Sequence, residues 1–181
     1  MGHLTFKNRG KILEELMLNT AEYYRANKIA YLRKTNPDYS HLSTSGKRGF
    51  EPSKSYFQVK LISKGDLDFY GVYSGKYFSI ELKETKEENF KFSLIKKHQL
   101  TQMEEIDSCG GNAFLLIHFF HSKSSFWLIT YSQLLLLKKK RGKLGIPELK
   151  EVNAFEIQIT YPGILNLTPT WDLILRQSCL S

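Results

Sequence analysis

A chain of 181 residues is long enough for one domain with a full core, and 41% hydrophobic content is ordinary for a soluble protein. No apolar run reaches bilayer length and the N-terminus lacks a signal-peptide core, which excludes a membrane-spanning helix; Cys109 and Cys179 show no metal-ligand spacing and are expected as free thiols in a reducing cytoplasm. The net charge of +8 is uneven: residues 28–64 carry eight Lys/Arg against two acids, whereas residues 65–109 carry six against nine. A basic surface beside an acidic pocket suits a polyanion handled with the help of a metal; charge alone does not separate this from a basic protein with solvated charges.

Residues 11–26 place Ile12, Leu13, Leu16, Met17, Thr20, Tyr23 and Tyr24 at 3–4 spacing, which predicts an amphipathic helix with Asn8 as N-cap and Asn27 as the residue just beyond its end. Glu14 and Glu15 flank the two edges of that stripe, and periodicity does not choose between them. Residues 28–34 read as a short strand. Residues 35–55 are rich in Ser, Thr, Gly, Pro and Asn and contain Lys47-Arg48-Gly49. An insertion this long within a compact domain is uncommon and often functional, so it is expected to protrude. Residues 56–62 resume strand character, making the insertion a link between two strands of the sheet.

The segment from Lys64 to Lys86, KGDLDFYGVYSGKYFSIELKETK, carries most of the chemistry. Two apolar-aromatic runs flank Ser74-Gly75, a tight-hairpin signal. With Tyr73 facing Lys76 and no bulge, Asp68 falls opposite Glu81 and Asp66 opposite Lys83. Directly opposed like charges cost stability, and a divalent cation between them reverses that sign. Oxygen ligands at this spacing suit Mg²⁺, which keeps several waters and takes few protein carboxylates. Lys83 projects from the same face as Glu81. A solvated hairpin with cross-strand ion pairs is the plainer reading of the spacing. Against it stand the like-charged opposed pair and the apolar opposite face of the second strand (Phe78, Ile80, Leu82), which packs the hairpin on a core.

Beyond Lys86 a helix is expected over about residues 94–107, ended by Gly110-Gly111, with His98, Gln99 and Gln102 on or near one side. Residues 112–120 and 125–131 read as strands, Ser132 as the cap of a helix through Lys139, and Thr168-Pro169 as the opening of a terminal helix. His118 and His121, without carboxylate partners in sequence, read as core or edge histidines. The order predicts one α/β domain with a mixed central sheet flanked by helices.

These pieces, in order, resemble the RecU-type Holliday junction resolvases of the PD-(D/E)xK nuclease superfamily. The matching residues are Asn8-Arg9-Gly10 with Leu13-Glu14, Ile29-Ala30 with Lys34, the run Asp68 to Tyr73 with Gly75 and Tyr77, the run Glu81 to Lys86, then His98-Gln99 and Gly110-Gly111. The resemblance implies a restriction-endonuclease-like fold acting as a homodimer on four-way DNA junctions. It implies Mg²⁺, or Mn²⁺, as cofactor, with Asp68 and Glu81 as metal carboxylates and Lys83 acting on the attacking water and the phosphate charge. Glu14 and Gln99 are implied in or near the site, Gln99 completing the metal shell. Residues 35–55 become the stalk that enters the junction, with Arg48 and Lys47 on it and Arg9 and Lys34 as further DNA contacts. Asp66 departs from the family pattern, which has Thr there; an extra carboxylate would join the metal shell or pair with Lys83. Two other readings remain: a restriction-type duplex endonuclease, and a catalytically inactive basic DNA-binding adaptor.

Overall fold

The computed structural model describes residues 11–36, 39–41, 59–61, 66–120, 124–140 and 143–178. In chain order the elements are α1 (Lys11–Ala26), β1 (Tyr31–Lys34), β2 (Tyr39–His41), β3 (Val59–Leu61), β4 (Phe69–Tyr73), β5 (Lys76–Thr85), β6 (Phe90–Lys91), α2 (Lys97–Ser108), β7 (Asn112–Phe119), β8 (Ser125–Thr130), α3 (Tyr131–Lys140), β9 (Lys143–Leu144), α4 (Ile146–Glu151), β10 (Phe155–Ile157), β11 (Ile159–Thr160), β12 (Ile164–Leu165) and α5 (Thr168–Ser178). Six strands form the central sheet in the order β1-β4-β5-β7-β8-β10. Among the described residues only the β5–β7 pair of this sheet is parallel, and α2 makes the crossover between them. The expected mixed sheet flanked by helices is therefore present.

Side-chain alternation divides the core between the two sheet faces. On one face, Leu13, Met17 and Tyr24 of α1 and Trp171 of α5 pack with Phe69, Phe78, Ile80, Phe114 and Leu116. On the other, Met103 of α2, Leu134 and Leu137 of α3 and Leu149 of α4 pack with Leu115, Ile117, Trp127 and Ile129. Strand β7 is buried along nearly its whole length, as a central strand covered on both faces must be. No helix among the described residues is long and apolar enough to cross a membrane.

The β4–β5 hairpin that carries the acidic residues has the register read from sequence, from Tyr73↔Lys76 back to Phe69↔Ile80. Ser74 and Gly75 both take positive φ, 47° and 76°, the geometry of a two-residue turn matched to strand twist. Gly71 is required by β1: a Cβ there would lie 2.0 Å from the Tyr31 carbonyl oxygen.

Three expectations need correction. The strand over residues 56–62 is found as Val59–Leu61, and it pairs with Tyr39–His41 in a separate two-stranded ribbon rather than joining the central sheet. Strand character in sequence does not name the partner. Helix α1 ends with Lys28, not Asn27, in the left-handed region (φ 56°), and Ile29 N–H closes onto the Tyr24 carbonyl at 2.8 Å. Helix α3 is capped by Thr130, not Ser132: Gln133 N–H donates to Thr130 Oγ1 at 3.2 Å and Thr130 N–H to Gln133 Oε1 at 2.9 Å, a reciprocal box. Asn8 lies outside the described residues.

Candidate active site

The site arises where the hairpin ladder stops. Pairing of β4 with β5 ends at Phe69↔Ile80, while β5 runs on to Thr85 paired only with β7 among the described residues. Residues 66–68 bend away from strand geometry, and the Asp68 carbonyl accepts the Thr35 N–H at 2.9 Å. The Asp68 carboxylate turns instead onto the β5 edge, where its Oδ2 accepts the Leu82 N–H at 2.8 Å. Asp68 and Glu81 thus stand one step beyond the last ladder pair.

Glu81 is only 2% exposed. Its Oε1 accepts hydrogen bonds from Lys83 Nζ and from Gln99 Nε2. Lys83 is largely buried as well, so the ion pair is shielded from solvent. Burial first, and the Asp68 charge second, push the Glu81 carboxyl above the usual carboxylate range, against the opposing pull of Lys83. The α2 residue Gln99 is held from both ends: its Oε1 accepts the Lys96 N–H at 2.9 Å, closing the first turn of the helix. These residues face an open cleft of about 260 Å³, completed by Leu13, Glu14, Lys34, Leu82, Glu84 and Lys96. That volume admits a phosphodiester group with several waters.

The expected residues divide into four groups. Asp68, Glu81, Lys83 and Gln99 come together. Glu14 lines the same cleft, half-exposed, and is paired with Lys34, whose Nζ lies 2.5 Å from Glu14 Oε1. Asp66 is not brought in: the expected Asp66–Lys83 pairing does not form, because the ladder ends before it. Asp66 is exposed and its Oδ1 accepts a hydrogen bond from Gln102 Nε2 at 3.1 Å. Gln99 also differs from expectation, since its nitrogen, not its oxygen, faces Glu81. Arg9, Lys47 and Arg48 lie outside the described residues.

Two cleft residues, Glu84 and Lys96, escaped the sequence reading. Glu84 Oε1 accepts the Leu13 N–H at 2.7 Å, a carboxylate at the first turn of α1 where the helix dipole favours it. The same oxygen lies 3.6 Å from His118 Nδ1, so His118 does have a carboxylate neighbour. Strand alternation puts Glu84 on the face opposite Lys83, but only the parallel β5–β7 register, Glu84↔His118, brings the histidine to it.

The donor set fits a small hard cation sparingly held. No group of three or more His, Cys, Asp and Glu at metal-binding distance occurs among the described residues. Two carboxylates do converge, and the upward shift of Glu81 comes from its burial first and from the Asp68 charge second, both of which a bound cation would offset. Mg²⁺ needs few protein carboxylates, its remaining positions being filled by water.

The fold is a mixed α/β sheet flanked by helices, with two carboxylates and a lysine gathered where its hairpin opens. The family model of Recombination protein U (RecU) matches residues 8–172, and the chain belongs to that family. It is 32% identical over 165 residues to the Holliday junction resolvase RecU of Mycoplasmopsis pulmonis, covering 90% of this chain and 93% of that one. The RecU of Ureaplasma parvum is 29% identical over 161 residues, covering 88% and 89%. A solved structure of Archaeoglobus fulgidus Hjc, a Holliday junction resolvase, overlaps at a TM-score of 0.42 with 12% identity, over 78% of this chain and 91% of that chain, too partial an overlap to carry an inference.

Proposed function

We propose that the chain is a divalent-metal-dependent endodeoxyribonuclease that resolves four-way DNA junctions by paired symmetric nicks. The observation that carries this reading is the convergence of Asp68, Glu81 and Lys83 in an open cleft of a RecU-family chain. The resolvase names of its relatives support the substrate class.

Asp68 and Glu81 would hold the cation, Mg²⁺ or Mn²⁺. When bound, it would lower the pKa of a water and polarise a phosphoryl oxygen. Lys83 lies beside Glu81, where it would offset the charge of an approaching phosphate and orient the attacking water. Gln99 holds Glu81 in place through its amide nitrogen while its oxygen stays engaged by the helix. In this reading residues 1–181 are a single nuclease domain acting in the cytoplasm, with residues 35–55 as a stalk-like insertion. The β2–β3 pairing, which brings Tyr39–His41 beside Val59–Leu61, supports an excursion that leaves and returns at one place. A homodimer would set two clefts about a two-fold axis, matching the symmetry of a junction.

The test is direct. A synthetic four-way junction, a linear duplex of equal length and a single strand are incubated with the protein in Mg²⁺ or in EDTA. Nicking of the junction in Mg²⁺ alone is expected. Equal cleavage of junction and duplex would replace the resolvase reading with a general nuclease.

A further inference from the structure

Among the described residues, three cations line the cleft: Lys34, Lys83 and Lys96. Two are already matched, Lys34 by Glu14 and Lys83 by Glu81. Lys96 is exposed and makes no ion pair among the described residues. Its stem is nevertheless not loosely placed. Its backbone N–H donates to Gln99 Oε1 at 2.9 Å, and Gln99, itself only 8% exposed, donates from Nε2 to Glu81 Oε1. A single buried amide therefore fixes the root of Lys96 relative to the carboxylate at the centre of the site.

We infer that Lys96 binds a backbone phosphate of the DNA strand lying in the cleft. This rests on the nuclease reading of the site and adds a residue to it. The charge pattern favours it. Among the described residues that line the cleft, four acids stand against three lysines, a balance of minus one that disfavours an approaching phosphate. A divalent cation brings the balance to plus one, and without Lys96 it would be zero. A lysine ammonium on a flexible stem is a point charge suited to a phosphate of any sequence context. The Gln99 side chain closes the helix turn through the Lys96 backbone N–H and leaves the Lys96 side chain exposed.

The experiment compares wild type with Lys96→Gln, Lys96→Arg and, as a control on the exposed surface of α3, Lys139→Gln. Junction affinity is measured in Ca²⁺ across a salt series, and cleavage kinetics in Mg²⁺. For Lys96→Gln the slope of log affinity against log salt should shrink by about 0.9, the value for one lost phosphate contact on duplex DNA. Affinity should fall roughly fivefold, as for a solvent-exposed ion pair. KM should rise with kcat nearly kept, Lys96→Arg should restore both, and Lys139→Gln should change neither. Glu81→Gln separates the two levels of the argument. If Glu81→Gln still cleaves fully, the site reading itself fails. If Glu81→Gln is inactive while Lys96→Gln keeps the wild-type slope and KM, only the role of Lys96 is overturned.

Discussion

Replacing Gln99 by Glu adds a third carboxylate beside Asp68 and Glu81 while keeping an oxygen to accept the Lys96 N–H. The side chain is nine-tenths buried and in hydrogen-bond contact with Glu81 Oε1. Two like charges about 4 Å apart cost about 4 kcal/mol at an effective dielectric of 20. Protonation sets a ceiling: holding a carboxyl of ordinary pKa about 4.3 neutral costs about 3.7 kcal/mol at pH 7 and about 1 kcal/mol at pH 5. Lys83, already on the same Glu81 oxygen, absorbs part of the added charge. The expected loss without metal at pH 7 is therefore about 2–4 kcal/mol, or roughly 5–15 °C in Tm for a chain of this size. The folded-state pKa values are raised above the unfolded ones, so this penalty is absent below the unfolded pKa and grows as pH rises toward the folded one. Thermal unfolding in EDTA at pH 7 and pH 5 reads it, and excess Mn²⁺ should recover most of the loss at pH 7. An unchanged Tm in EDTA at pH 7, or an equal loss at pH 5, would show that Gln99 does not face the carboxylates.

Three further outcomes are expected. Because burial and Asp68 raise the Glu81 pKa, protons compete with the cation at higher pH than for an ordinary carboxylate. Mn²⁺ affinity measured by calorimetry should fall as pH drops through that raised range, and an affinity unchanged down to about pH 4 contradicts the assignment. The buried Tyr24 hydroxyl accepts the Leu167 N–H at 2.9 Å and donates to the Leu165 carbonyl at 3.0 Å; Tyr24→Phe should cost about 2 kcal/mol in denaturant unfolding without altering cleavage per folded molecule. Arg48→Ala, on the proposed stalk, should lower the ratio of junction to duplex affinity in competition binding, whereas an equal loss on both would mark Arg48 as a general phosphate contact.

The core of the site was legible because it rests on local rules. Ser74-Gly75 sets the turn, the turn sets the register, and period-two alternation puts Glu81 and Lys83 on one face with Phe78 and Ile80 on the other. The α1 stripe was legible for the same reason. The misreadings begin where a long-range partner decides. Asp66 continues the strand pattern in sequence, but the chain bends at residues 66–68, where Thr35 takes the Asp68 carbonyl and Gln102 takes the Asp66 carboxylate. Lys96 and Glu84 enter the cleft through the placement of α2 and the first turn of α1, neither of which a local pattern fixes. The two-residue strands β6, β9, β11 and β12 and the single turn-and-a-half of α4 are too short to leave a periodic signal.

The most direct measurement follows nicking of a four-way junction with each strand 5′-labelled in turn, using wild type, Asp68→Ala and Glu81→Ala in Mg²⁺, alongside junction binding in Ca²⁺. Asp68 and Glu81 are the two carboxylates gathered at the open end of the hairpin. The expected result is symmetric nicks on opposing strands by wild type, no nicks by either variant, and binding kept by both. Full cleavage by either variant at saturating Mg²⁺ would contradict the assignment of this cleft as the nuclease site.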